Sequence, residues 1–532
     1  MHLAPSTAWA WLIACAVVIL LFPLAAQFGN LKGKLSSFRT WVWAIALLGI
    51  VTAGFMPFTF DTDTTYFEVQ PFIFFITGTL LGVLFLGEFH RMNAQKKLKH
   101  PQRVHAERRT RYSKAVEQLA YPNPAVRASA ISTLAGLVDE WLADEQLSVE
   151  ARQKEGQVIV NALCAYVRSP FSRAFKAEAF ESDTPPANYA GDFATDLAAF
   201  RGEQDVRRSI FVEMSKRSST LAENEKGEVA VVPGAWSGFE FDFSRAVVFY
   251  PLDGLTIENA DFSAARFCNG SDFSGAAFVG DANFTRAVFD QDARFSDVTF
   301  MGTADFSNAR FAGDAFFRWV AFNANADFHE ASFGGHADFR DAAFTADAGF
   351  SGASFEGNAG FFRSSFGGNA SFFRTDFAGV AEFREAVFEG HAGFNAATFY
   401  GDAHFSRATF EGLAGFRDVT FKAGAEFYRA SFMQTADFCD SSFMKSPPLF
   451  VTEDVESGEV YRARFAALSA ASEATGQEAH NFAVYEGSQL IPLGTAGLNG
   501  VGYRIPVSAV LFDPASWDER QKEYTRLSEP AQ

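Results

Sequence analysis

The chain has 532 residues and a formal net charge of −18, with 45 Lys and Arg against 63 Asp and Glu, a length with room for several domains. Its four cysteines stand singly without a CxxC pair, which excludes a disulfide framework and a cysteine-built zinc site. Phenylalanine is over-used, with 63 copies, and its distribution is uneven.

Three apolar runs open the chain, at 8–28, 41–60 and 71–89, each about 20 residues long, the length that crosses a bilayer. Trp9, Trp11, Trp41 and Trp43 stand near their ends, where interfacial aromatics belong. A cleaved signal peptide is disfavoured, because no Lys or Arg precedes the first run. Lys32, Lys34 and Arg39 occupy the first loop, Asp61, Asp63 and Glu68 the second, and nine Lys and Arg from Arg91 to Lys114 follow the third. Positive-inside bias then predicts a multi-pass anchor in the inner or plasma membrane over 1–90, with the rest of the chain in the cytoplasm. Two spans with one re-entrant run is the alternative. The basic stretch reads as the topology signal, with anionic-lipid contact as the second reading; no nucleic acid is expected, since no groove-reading element accompanies the charge.

From 107 to 169 the spacing predicts helices: Tyr112, Val116 and Leu119 form one stripe, Val126, Ala130, Ile131, Leu134, Leu137, Val138 and Trp141 a second, and Val158, Ile159, Leu163, Tyr166 and Val167 a third. Residues 170–200, with Pro185-Pro186, read as a linker, and Asp205–Ser219 as one more short helix. Together 91–220 make a basic segment and a helical neck.

Beyond this the sequence becomes periodic. Phenylalanine recurs from Phe262 to Phe443 at alternating steps of five and six, 34 times without a miss, and the residue two before it is Ala in 27 cases and Ser, Thr or Val in the others. The i and i+2 relation is the strand period, so both side chains point inward and the middle residue outward. A helix fails, since a step of five turns about 140° and separates the two phenylalanine rows. Ten of sixteen units carry Gly two residues after the second phenylalanine, Gly280, Gly302 and Gly313 among them, which suits a corner or bulge.

Ala260-Asp261-Phe262-Ser263-Ala264 and Ala304-Asp305-Phe306-Ser307-Asn308 resemble the unit of the pentapeptide-repeat family. The resemblance implies a right-handed quadrilateral β-helix over 236–443 in which four units make one coil. With one extra residue in every second unit, an undecapeptide variant, the coil is expected to hold 22 residues and bulge at two opposite corners. Seventeen pairs then give between eight and nine coils and a rod about 40 Å long, with a degenerate first coil near Phe239, Phe243, Leu252 and Ile257. The stretches 112–119 and 157–167 are similar to the HEAT-like region of membrane-anchored bacterial pentapeptide-repeat proteins. The period stops at Pro447-Pro448, and in the tail, 444–532, a helix at Val460–Ala471 and a strand at Val507–Phe512 are expected, part of it covering the open end of the sheet.

No catalytic, cofactor-binding or metal-binding residue is assigned, and no enzyme is expected. His336 and His391 occupy equivalent repeat positions but two and a half coils apart, so they read as surface residues. The repeats at 258–443 carry 25 Asp and Glu against 13 Lys and Arg, and rod-shaped members of the resembled family include acidic mimics of duplex DNA. Against that, a 22-residue coil puts Asp341, Arg363, Glu385, Arg407 and Arg429 in one column, a salt ladder. The expected function is a membrane-anchored, non-catalytic scaffold for an unidentified protein partner; the alternative is an acidic DNA-mimicking modulator of a type II topoisomerase or another DNA-handling enzyme.

Overall fold

A computed structural model describes residues 102–223, 229–455, 457–468 and 480–532, with a few helical positions between 78 and 92. The chain divides into two compact units, Met1–Thr110 and Arg111–Gln532, and the neck, rod and tail lie in the second. The expected multi-pass anchor is corrected here: among the described residues no helix is long and apolar enough to cross a membrane. The runs at 8–28, 41–60 and 71–89 fall almost wholly outside the described residues, so neither three lipid-embedded spans nor a membrane location has structural support. The long helices that are described are amphipathic instead, and they bury one face against each other.

Residues 102–119 are helical. Helix α1, Pro124–Leu142, starts at Asn123, whose side chain accepts the Ala125 N–H at 2.9 Å, with proline in the first turn. It buries Ala130, Ile131, Leu134, Ala135, Leu137, Val138 and Trp141, and α2, Val149–Arg168, capped by Ser148, packs Ile159, Val160, Leu163 and Val167 inward. Helix α3 spans Phe193–Ser215, beginning well before Asp205, and a 3₁₀ segment occupies Ser172–Phe180. The region read as a linker is thus largely ordered. Its aromatics explain why: Phe180 meets Phe200 at 4.9 Å, Phe193 at 5.8 Å and Tyr189 at 5.9 Å between ring centres.

A buried ionic cluster ties the three helices together. Arg207 is 1% exposed; its Nε donates to Glu203 Oε1 at 2.7 Å and its Nη groups to the Val167 and Ser169 carbonyls at 2.7 and 2.8 Å. Glu203 Oε2 also accepts from Arg127 at 2.9 Å and the Tyr166 hydroxyl at 3.2 Å. The neck in turn covers the lower end of the rod, with Phe211 stacked 4.7 Å from Phe243 and Phe200 5.1 Å from Phe249.

The rod is a β-solenoid of about nine turns with four parallel sheets. Along the chain, face 1 (such as Ala260–Asp261), face 2 (Arg266–Phe267), face 3 (Ser271–Asp272) and face 4 (Ala277–Phe278) alternate. Ala282 pairs with Ala304 and with Ala260, so one coil holds 22 residues. The first coil is shorter: Phe241 pairs with Ala260 and Val247 with Arg266, 19 residues on.

Phenylalanine fills the interior in four stacked columns. Phe350 lies 4.9 Å below and 5.0 Å above its coil neighbours Phe328 and Phe372, with planes within 4°, and meets Phe361 edge-on at 5.4 Å and 86°. Each such pair adds roughly 0.5–1.5 kcal/mol to the burial of the ring. Alanine beside it leaves the room the ring needs; where Ser364, Thr375 and Ser441 take its place, the hydroxyl donates to a backbone carbonyl at 2.7–2.8 Å.

The glycines work differently from the sequence reading. Gly302, Gly401 and Gly412 do not adopt positive φ; a Cβ on them would come within 2.6, 2.3 and 2.2 Å of the backbone one coil below. The extra residue sits at these corners, between faces 2 and 3 and between 4 and 1, where backbones touch. Positive φ falls at the other two corners, at every eleventh residue from Ala264 (53°) to Asp440 (56°), and only Gly275 and Gly352 there are glycine. Each such turn is closed by a bond like that from the Ala265 N–H to the Phe262 carbonyl, 3.0 Å.

The tail adds further strands to the coil. Arg464–Ala466 extends face 4, followed by Val510–Phe512, and Leu449, Asn481 and Val484 bridge to faces 3, 1 and 2. The expected helix at Val460–Ala471 is corrected: Val460–Arg462 pairs with Val451–Glu453 as a hairpin and Arg464–Ala466 joins the rod, with 469–471 outside the described residues. Ala463-Arg464-Phe465 repeats the Ala-x-Phe unit, and unpaired strand edges attract exactly such a segment into register.

Candidate interaction surface

The glycine corners carry a ladder of side-chain acceptors. Asp292, Asp314, His336 and Asn358 each take the backbone N–H of the residue one coil on, as His336 Nδ1 does from Asn358 at 3.0 Å. Asp347, Asn369 and His391 do the same on the opposite corner, His391 Nδ1 from Leu413 at 3.1 Å. The two histidines therefore stand in for asparagine in a structural ladder and lie on opposite corners. Many of the rod's carboxylates are engaged in this way with its backbone.

The corner between faces 3 and 4 has another character. It carries Arg318, Arg340, Arg363, Arg384, Arg407 and Arg429, six of the 13 basic residues of 258–443, together with Trp319, Phe362 and Tyr428. Arg363 pairs with Asp341 at 2.8 Å and Arg407 with Glu385 at 2.9 Å, so the expected ladder forms as two rungs. Arg429 leaves it, bonding Glu459 of the tail hairpin at 3.0 Å with its guanidinium 3.5 Å from the centre of the Tyr461 ring. Asp338 takes both Arg340 and Arg318; burial alone would raise its carboxyl, and the two guanidinium bonds outweigh that and hold it below the ordinary carboxylate value.

Trp319 is the odd member. It is 57% exposed and sits at φ 54°, so it gains neither core burial nor an easy backbone conformation. Further along the same corner the hairpin Val451–Glu453 and Val460–Arg462 overhangs the rod, enclosing a cleft of about 500 Å³ between Arg407, Tyr428 and Arg429 below and Glu453 and Tyr461 above. Neither Trp319's exposure nor this insertion follows from the period; the sign available in the sequence was the unusual density of Arg and aromatic residues in one 22-residue column.

Nucleophiles are insulated. Cys164 and Cys268 are buried, and burial pushes both thiols up to about 12; the bond to Asp440 raises Cys439. Among the described residues no group of three or more His, Cys, Asp and Glu is placed to hold a metal ion.

Residues 280–318, 295–343 and 372–420 match the family described as Pentapeptide repeats (9 copies). No curated protein and no solved structure matches the chain significantly. The match and the four-sheet architecture agree, and the rod of this chain is a pentapeptide-repeat β-solenoid of about nine turns, a fold consistent with a non-catalytic scaffold or interaction module.

Proposed function

We propose that the chain is an interaction module whose rod presents the corner between faces 3 and 4 to a protein partner. A helical neck within 91–220, the rod at 236–443 and a covering tail at 444–532 are the parts of that reading. The observation that carries it is the column from Trp319 to Arg429, where six arginines and three aromatics stand on an otherwise acidic rod. Arg, Trp and Tyr dominate the energetic centres of protein interfaces, because a planar cation and a rigid ring give large contact for little lost entropy. The column runs five coil steps, about 24 Å at the usual strand spacing, enough for one standard protein contact. The DNA-mimic alternative gains no support: a mimic requires free carboxylates in a phosphate-like run, whereas here Asp314 and Asp347 hold backbone N–H groups and Asp341 and Glu385 hold arginines.

The test is site-specific photocrosslinking. A benzophenone side chain at Trp319 or at Arg407 should yield one discrete adduct in cells, while the same group at Asn308, on the opposite left-handed corner, should not. Equal labelling from both corners would remove the proposed surface.

A further inference from the structure

The neck holds a second concave site, separate from the rod's corner. A cleft of about 600 Å³ opens between the turn after residue 119, the segment after α2 and the face of α3. That is within the size range of small-molecule sites. Its charged lining is Arg127, Arg173, Arg207 and Glu203, three cations against one anion in a chain whose net charge is −18. Even with Asp196 counted, which accepts from Arg173 Nε at 2.7 Å, one positive charge remains in excess.

The geometry fixes how those charges are available. Arg207 is locked by Glu203 and two backbone carbonyls, and carbonyl dipoles do not neutralise its charge. Arg127 gives one nitrogen to Glu203 and another to the Tyr121 and Pro122 carbonyls at 2.8 and 3.1 Å. Arg173 meets Asp196 through Nε alone, so its two terminal nitrogens keep their donors, and its side chain is 39% exposed. A guanidinium held on one side and open on the other is suited to grip a second oxyanion. The rest of the wall is apolar and aromatic, with Leu119, Pro124 and Phe171 among its members.

We propose that this cleft binds a small ligand with an oxyanion, a carboxylate or a phosphate monoester, carried on an apolar body: the anion meets Arg173 and the field of Arg127 and Arg207, and the body lies against Phe171. Low dielectric around the half-buried arginines strengthens the attraction relative to open surface.

Calorimetric titration of the whole 532-residue chain tests this with three probes: inorganic phosphate, phenyl phosphate and benzoate. Saturable one-to-one binding is expected for phenyl phosphate or benzoate, tighter than for inorganic phosphate, and weakening as salt is raised. Whichever of the two aromatic probes binds tighter identifies the anion as phosphate or carboxylate. Arg173→Gln, a partly exposed site whose change should leave the helical circular dichroism intact, should weaken binding by roughly tenfold, and Arg173→Lys should restore part of the loss. Absence of saturable binding by all three probes, or an unchanged affinity in Arg173→Gln, overturns the proposal. Neither result bears on the crosslinking from Trp319.

Discussion

Rod and neck hold their cores by opposite strategies. In the rod each coil repeats the last, so Phe350 has stacked partners at 4.9 and 5.0 Å that are themselves phenylalanines in the same environment. In the neck one residue, Arg207, reaches from α3 to the end of α2 and is not duplicated. Repetition spreads load over nearest neighbours, so stability is a sum of similar coil interfaces. A single buried charge concentrates it, because removing its partner leaves a cation in low dielectric.

The largest effects test that contrast directly. Glu203→Ala should cost about 3–5 kcal/mol by stranding Arg207, and Phe350→Ala about 3–5 kcal/mol through the lost ring and the cavity it leaves. Hydrogen exchange distinguishes them. The first should raise exchange across α1, α2 and α3 together, the second only in the coils next to residue 350. Exchange spreading from residue 350 along the whole rod would show that the coils are not near-independent.

Next in size is the difference between two glycines of one rod. Gly390→Ala places a Cβ 2.3 Å from the Gly368 carbonyl oxygen, backbone that cannot step aside, and should cost roughly 1–3 kcal/mol in urea denaturation. Gly349→Ala meets only the Asp327 carboxylate at 3.0 Å, a side chain that can turn away, and should cost less. Equal midpoints for the two would mean the close approach at the corner relaxes freely.

These positions also show what the sequence made legible. The Ala-x-Phe pairs fixed strand period and coil length, because an interior only wide enough for one ring and one methyl per side leaves those residues no freedom. Backbone conformation was less legible: Arg286, Trp319 and Glu385 take positive φ that their side chains do not advertise, since the turn is imposed by coil closure. The tail hid for another reason. Insertion of the hairpin at Val451–Arg462 moves Phe465 out of phase with Phe432, though the two stack at 4.8 Å, and no period survives an insertion. The interaction column was visible as composition once the 22-residue register was assumed, while the neck cleft depended on the three-dimensional meeting of Arg127, Arg173 and Arg207, far apart in the chain.

A smaller, pH-dependent effect marks the rod's upper end. His480-Asn481-Phe482 occupies the Ala-x-Phe slot above Ala436-Asp437-Phe438. His480 Nδ1 accepts the Ala436 N–H at 3.2 Å, so Nε2 carries the proton donated to the Ala466 carbonyl at 3.0 Å, and the ring packs on Phe465 and Phe482. Burial lowers its pKa from the ordinary 6.5, only partly offset by the Ala466 bond. The folded state therefore binds fewer protons than the unfolded one just below that value. Stability from this group is complete above 6.5 and is lost as pH falls beneath it toward the lower folded value. His480→Gln, which keeps a donor and an acceptor, should flatten the wild-type-minus-variant stability difference over that window. An unchanged slope would place the acid sensitivity elsewhere.

The smallest expected effect lies in the charge column, and it decides what that column is for. Arg407 bonds Glu385 at 2.9 Å with side chains 51% and 35% exposed. An ion pair this open to solvent stabilises by roughly 0.2–1 kcal/mol, and salt screens it. Arg407→Gln should therefore leave the urea midpoint of the rod almost unmoved and make the remaining difference vanish in high salt. If the arginine column existed to hold coils together, the loss would have to be several times larger, because the phenylalanine stacks already supply the cohesion. A near-neutral Arg407→Gln combined with a weakened adduct from the benzophenone at Trp319 would assign the column to recognition; a large loss of stability with unchanged crosslinking would assign it to the rod itself.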